Sequence, residues 1–362
     1  MTYAIKEVCM VLHYCFYILF FTFIKVYSVE YVYPVAYLND ETTIFLIHQL
    51  SSDHIELLQW NAHTNCTQQI LWSLFNPAGF QLLRDNSGFS FIDNGRLRIK
   101  SFNKRSPKTI DFDEPLFNIN SLYWIDEHSC YCSAQQGNDY ALFHLHDDGR
   151  INFIVACNNK DYLYPQKINT HLFYIERDKT NNSHNNTPSY HIIQALCPLH
   201  DALDAQEIID FKDRPIAFLH MLSHTEGCVI EYQKKVDTSD KTILFFYHHI
   251  IKEGDFWYKK ELFSFCIPCA LLIHGSKELL YESMVPLLPQ IIENKIYYVT
   301  SLLSDDYFLR PYYYDLLTGV CVKIILPPQR QGHCFVPKLC ANRLYYGGTK
   351  QPQEYELISF LT

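Results

Sequence analysis

From Val8 to Ile24 the chain is apolar for seventeen residues apart from His13 and Thr22, with Lys6 and Lys25 at its borders. That length falls between the roughly 7–15 residues of a signal-peptide core and the about twenty needed to span a bilayer. Val26-Tyr27-Ser28 then sets a small residue before Val29, so residues 1–28 read as an export signal cut after Ser28, or as an uncleaved anchor. Beyond Ser28 the pattern changes to short runs of aliphatic and aromatic residues broken by Asn, Asp and Gly. This is the period-two patterning of strands, and residues 29–362 are expected to form a single all-β domain. One stretch differs: Leu199 to Phe211, LHDALDAQEIIDF, reads as a short helix between two strand groups, and Lys179 to Pro188 as a solvated tip.

Within the strands a short motif recurs: Asn, a spacer, an aliphatic residue, two aromatics and usually another aliphatic. Asn120 to Ile125 (NSLYWI), Asn294 to Val299 (NKIYYV) and Asn342 to Tyr346 (NRLYY) carry it, and Asn169 to Ile175 carries it with one extra spacer. Weaker versions begin at Asn39, Asn86 and Gly227. An Asn can turn the chain tightly before the apolar residues enter a strand. The copies from Asn39 to Asn169 follow one another at 47, 34 and 49 residues, and 48 separate Asn294 from Asn342. At least two copies lead into a second hairpin, through Asp147-Asp148-Gly149 and through Asp315 to Gly319. Four-strand units at such intervals cannot bury both faces alone, and radial arrangement solves this.

These units resemble the blades of TolB-like and YWTD-like β-propellers, in which an aromatic-rich strand is followed by a hairpin closed by Asp-Gly or Asp…Thr-Gly. The resemblance implies a β-propeller of about seven four-stranded blades; six or eight blades, or a β-sandwich, are the alternatives. Glu30 to Tyr37 is expected to complete the last blade, which has room for about three strands of its own.

Charge narrows the partners. Thirty Lys and Arg against 39 Asp and Glu give −9, and a grip on a nucleic-acid backbone needs clustered positive charge, so no nucleic-acid partner is expected. Eleven cysteines follow Ser28. They are too sparse for a disulfide-built scaffold, and most are expected as buried thiols. Cys266 and Cys269, in C-x-x-C spacing, are a candidate disulfide. His144 and His146 alternate onto one strand face ahead of Asp147 and Asp148 and are the candidate metal ligands, with a third needed from His220, His224, His248 or His249 across an axial channel. Gly275-Ser276 lacks a surrounding G-x-S-x-G, and Gly347 to Lys350 lacks the order of a phosphate loop. No catalytic residue and no cofactor are assigned.

The function expected is therefore that of an exported interaction module without catalytic activity, periplasmic, secreted or held at the outer face of a membrane. Its partner would be a protein, peptide or glycan at the loop face or channel, with membrane contact only through an uncleaved N-terminal segment. The alternative is a propeller enzyme, a metal-assisted hydrolase or lyase acting in the axial channel.

Overall fold

The computed structural model describes residues 31–37, 43–51, 54–61, 64, 66–73, 76–83, 87–93, 96–102, 108–110, 116–180, 188–197, 205–212, 214–233, 242–268, 288–301, 309–325, 338–340, 343–346, 348–349 and 358–361. The expected signal or anchor at residues 1–28 lies outside them, and among the described residues no helix is long and apolar enough to cross a membrane.

Among the described residues the strands fall into seven sheets. The first contains β1 (Tyr31–Tyr37), β2 (Thr43–Ser51), β3 (His54–Asn61) and β4 (Cys66–Ser73), and the second β5 (Asn76–Leu82), β6 (Gly88–Asp93), β7 (Arg96–Ser101) and β8 (Lys108–Thr109). The third holds β9 (Phe117–Trp124), β10 (Ser129–Gln136), β11 (Asp139–His146) and β12 (Ile151–Val155). The fourth holds β13 (Lys160–Ile168), β14 (His171–Asp178), β15 (Ser189–Leu196) and β16 (Ala205–Lys212). The fifth holds β17 (Ile216–Met221), β18 (Glu226–Gln233), β19 (Thr242–Glu253) and β20 (Phe256–Pro268). The sixth holds β21 (Gln290–Ile292), β22 (Lys295–Ser301), β23 (Leu309–Asp315) and β24 (Val320–Lys323). The last joins β25 (Lys338–Cys340), β26 (Arg343–Tyr346) and β28 (Ile358–Leu361), while β27 (Gly348–Thr349) pairs with β1 and makes the first sheet five-stranded.

The protein is an all-β β-propeller, with five four-stranded blades rather than the seven expected; the two departures are the sheets at the chain ends. Successive first strands β1, β5, β9, β13 and β17 lie beside one another, and β1 also touches β25 and β26. Tyr31 to Tyr37 therefore does not complete the last blade. It opens its own sheet against β2 and meets the end of the chain through Tyr31↔Thr349 and Val32↔Gly348.

The recurring motif marks the second strand of its sheet. The copies at Asn169, Asn294 and Asn342 directly precede β14, β22 and β26, whereas the Asn120 copy lies inside β9, a first strand. Tyr123 is thus not equivalent to Tyr297 and Tyr345, which corrects the expectation that these strands share one blade position. Both β9 and the motif-bearing second strands set an aliphatic residue beside aromatics, so composition cannot separate them. The interval of 34 residues came from this copy: the second strands β6, β10 and β14 start at 88, 129 and 171. The helix expected over Leu199 to Phe211 is corrected from Ala205 onward, while residues 199–204 lie outside the described residues. Residues 205–212 form edge strand β16, with Ile209 and Phe211 buried against the sheet and Ala205 to Lys212 paired with β15.

Between blades, polar clamps complement the apolar packing. The Trp124 indole donates to Ser90 Oγ at 2.8 Å from the third blade to the second. Ser133 Oγ donates to Tyr162 O at 2.6 Å, and Ser121 Oγ accepts from Tyr164 N at 3.2 Å, joining the third and fourth. The fourth grips the fifth through buried Gln166, whose Nε2 donates to Leu219 O at 2.5 Å while its Oε1 accepts from Met221 N at 2.8 Å. A register shift between Leu163 and Gln166, with Tyr164 at φ 53°, re-aims Gln166 toward the next blade. Replacing Gln166 by Leu is expected to cost about 2–4 kcal/mol, since a buried amide and carbonyl each lose their partner at roughly 1–3 kcal/mol; denaturant unfolding of the variant measures it.

Candidate functional site

Antiparallel strands send alternate connections to opposite faces. On one face, the turns from β9 onward are two or four residues long, apart from eight between β15 and β16. Residues with positive φ, among them Gly149, Asn169, Glu293 and Gly319, close these turns. In the two hairpins expected from the sequence, Asp148 accepts from Arg150 N and Asp315 from Leu317 N and Thr318 N. On the other face the connections after β14, β18, β20, β22 and β24 contain 10, 8, 21, 7 and 14 residues.

A cleft of about 460 Å³ opens on this second face. Gln136, Asp139 and Ala141 from the β10–β11 hairpin form one wall, and Ala156, Cys157 and Asn158 from the β12–β13 connection form the other. Asp139 anchors the site. Its Oδ2 accepts from Asn159 N at 3.1 Å and its Oδ1 from Lys179 Nζ at 2.9 Å. Lys179 also donates to Asn138 O at 3.0 Å and pairs with Asp161 Oδ1 at 2.7 Å. Fully buried Asp161 further takes Arg177 Nε at 2.6 Å and Tyr140 N at 2.8 Å. Two carboxylates and two cations thus neutralise each other across the third and fourth blades. Lys179, expected at the start of a solvated tip, is instead half-buried within this network.

Burial works to raise the Asp139 carboxyl, but Lys179, the Asn159 amide and Arg177 together hold it below the ordinary carboxylate range. It is therefore ionised at neutral pH and far from the poise of a general base. Cys157 is an exposed thiol at the cleft wall.

The histidines singled out from sequence lie elsewhere. His144 and His146 stand on β11, the third strand from the axis, near the tight-turn face, with their rings 4.3 Å apart. Burial, reinforced by His146, lowers the His144 pKa; Tyr131 packs against its ring at 4.9 Å. Asn152 Nδ2 meets His146 Nε2 at 3.1 Å. Asp147 turns to His128 and Asp148 to Arg150. Of the expected third ligands, His220, His248 and His249 stand on strands of the fifth sheet and His224 in its β17–β18 turn; His248 faces Glu231 at 3.1 Å and His249 faces Glu226 at 2.8 Å. No third His, Cys, Asp or Glu joins His144 and His146 in a ligand group among the described residues.

Cys266 sits near the end of β20, where its backbone N donates to Thr300 Oγ1 at 2.9 Å; Cys269 lies outside the described residues. Cys130, Cys132 and Cys228 are buried, and burial pushes all three thiols up, Cys228 to about 11. Cys66, Cys157 and Cys321 are exposed, and Cys197 and Cys266 are partly so, so among the described cysteines burial is the state of three of eight and not of most.

No family model matches the sequence and no curated protein does. Solved structures do match. A puromycin-hydrolyzing peptidase from Mycobacterium tuberculosis shares 12% identity at a TM-score of 0.61 over 88% of this chain and 49% of its own. Oligogalacturonate lyase from Vibrio parahaemolyticus shares 9% at 0.56, over 91% and 92%. TolB from Acinetobacter baumannii shares 8% at 0.44, over 81% and 63%. The chain thus spans about half the length of the peptidase. At these identities the likeness is one of fold.

The Asp139–Lys179–Asp161 network should register in stability. A carboxyl with a depressed folded pKa contributes stability above its unfolded value of ~4, and the contribution disappears as pH falls through the folded value. Lys179→Met, which removes one of the two cations at buried Asp161 while Arg177 stays paired with it, is expected to cost about 1–3 kcal/mol at pH 7. It should also make the decline of stability below about pH 4 shallower than in the parent, as urea titrations across that range would record.

Proposed function

We propose that this chain is an exported β-propeller that binds a peptide, protein or glycan on its loop-rich face, beside the cleft walled by Gln136 and Cys157. The observation that carries this reading is the asymmetry of the two faces: from β9 onward one side returns in turns of two or four residues apart from one of eight, while five connections of 7 to 21 residues leave from the other, the side on which the cleft opens. Binding residues are disproportionately found on loops held by a rigid scaffold. The chemistry of the cleft supports recognition over proton transfer, because Asp139 is fixed as an anion by Lys179 and Asn159. Small walls at Ala141 and Ala156, with the Gln136 carboxamide at the rim, suit an extended polar chain.

Immobilised synthetic peptides and oligosaccharides, probed with the purified protein, test this. Saturable binding to one class is expected, weakened at least tenfold in Ala156→Trp, which fills the cleft, and unchanged in Leu317→Asp on the tight-turn face. Binding abolished by Leu317→Asp and indifferent to Ala156→Trp would overturn the assignment. N-terminal sequencing of the protein from extracytoplasmic fractions, expected to begin at Val29, tests the export.

A further inference from the structure

On the outer rim of the fourth blade, His191 of β15 faces Glu207 and Asp210 of edge strand β16. The donor atoms of the three side chains all lie within 4.8 Å of one another. His191 Nδ1 is 3.1 Å from Glu207 Oε2 and 3.6 Å from Asp210 Oδ1. We propose that these three residues form a binding site for a divalent transition-metal ion, distinct in place from the loop-rich face and independent of the function proposed for it.

Three observations converge on it. Glu207 and Asp210 are three residues apart, which on a regular strand sets side chains on opposite faces. The register shift between Ile192 and Ile193 cancels that: Ile192 pairs with Ile209 while Ile193 pairs with Glu207, so one extra residue turns both carboxylates to the side of His191. Second, His191 Nδ1 is buried and makes no hydrogen bond, although Glu207 Oε2 is close enough for one. With distance satisfied it is the alignment that fails, so the ring nitrogen is not aimed at that oxygen. Donors bound to one ion at ~2.1 Å, at angles of about 90–109°, stand roughly 3.0–3.4 Å apart and point at a shared centre instead of at each other. Third, the far side of the ring is already held. His191 Nε2 meets Ser189 Oγ at 3.0 Å, the outer hydrogen bond that fixes the tautomer and plane of a ligating imidazole.

The surrounding charges leave Glu207 available. Glu176, opposite His191 on β14, and Asp178 are engaged by Lys160 at 2.7 and 3.9 Å. Asp210 Oδ1 accepts the Lys212 amide at 2.6 Å, and Glu207 is half exposed. One imidazole and two carboxylates on an open rim suit zinc, cobalt or manganese better than calcium or magnesium, which favour all-oxygen sets. Bound there, the ion would clip the blade's edge strand to its neighbour and keep coordination positions free toward solvent.

Co2+ titration of the full chain, followed by its visible absorption and by calorimetry, tests the site. One equivalent is expected to bind without a thiolate charge-transfer band, which separates this site from exposed Cys66, Cys157 and Cys321. Glu207→Gln, a surface change that leaves the fold intact, should weaken binding at least tenfold, and His191→Phe should abolish it. Absence of saturable binding, a thiolate band at the first equivalent, or affinity unchanged in Glu207→Gln would each overturn the proposal. So would a loss of binding in His144→Ala with none in Glu207→Gln.

Discussion

A twisted four-stranded sheet with apolar side chains on both faces has no stable existence by itself, and everything else in this molecule follows from how that constraint is met. Each sheet uses its neighbour as the missing layer. Between the fifth and sixth sheets, the Phe263 ring stacks on Tyr247 of its own sheet at 4.9 Å and on Tyr298 and Tyr314 of the next at 4.3 and 5.4 Å. Such pairs add about 0.5–1.5 kcal/mol each beyond area burial, but they slide easily along one another. Direction comes from the polar clamps. Trp124 to Ser90, Ser133 to Tyr162 and Gln166 to Leu219 each fix the height of one blade against the next.

Because the faces of the sheets are consumed by packing, chemistry is confined to strand ends and outer edges. The two sites described here occupy those positions. The cleft forms where a hairpin tip and an interblade connection meet, over a neutral cluster of Asp139, Asp161, Arg177 and Lys179. The His191 cluster forms on an edge strand, at the point where a bulge breaks the alternation.

Much of the frame was legible in the sequence, and little of the sites. Alternating apolar residues marked strands, and the Asp-Gly and Thr-Gly steps marked the turns at Gly149 and Gly319. The Asn-led motif located β14, β22 and β26 because a short left-handed or tight step must precede a strand that leaves the turn directly; Asn169 itself adopts φ 56°. It misplaced the third blade because β9 is as aromatic as any second strand. The second half of LHDALDAQEIIDF, AQEIIDF, is a strand and not a helix because pairing with β15 outweighs local propensity. Lys179 and Asp139 are forty residues apart and meet only through blade packing, and Glu207 and Asp210 share a side only through a bulge. No local pattern encodes either.

The last sheet has consequences of parity. Four strands return the chain to the face it left, so each complete blade begins and finishes on the loop-rich side. Three strands do not. β1 starts at the loop-rich face, while β28, antiparallel to β26, runs out toward the tight turns. The described chain therefore enters through one pole of the ring and leaves through the other. A support attached ahead of Tyr31 would turn the cleft toward itself, and one attached beyond Leu361 would leave it facing outward, so the two ends are opposite handles on an oriented disc.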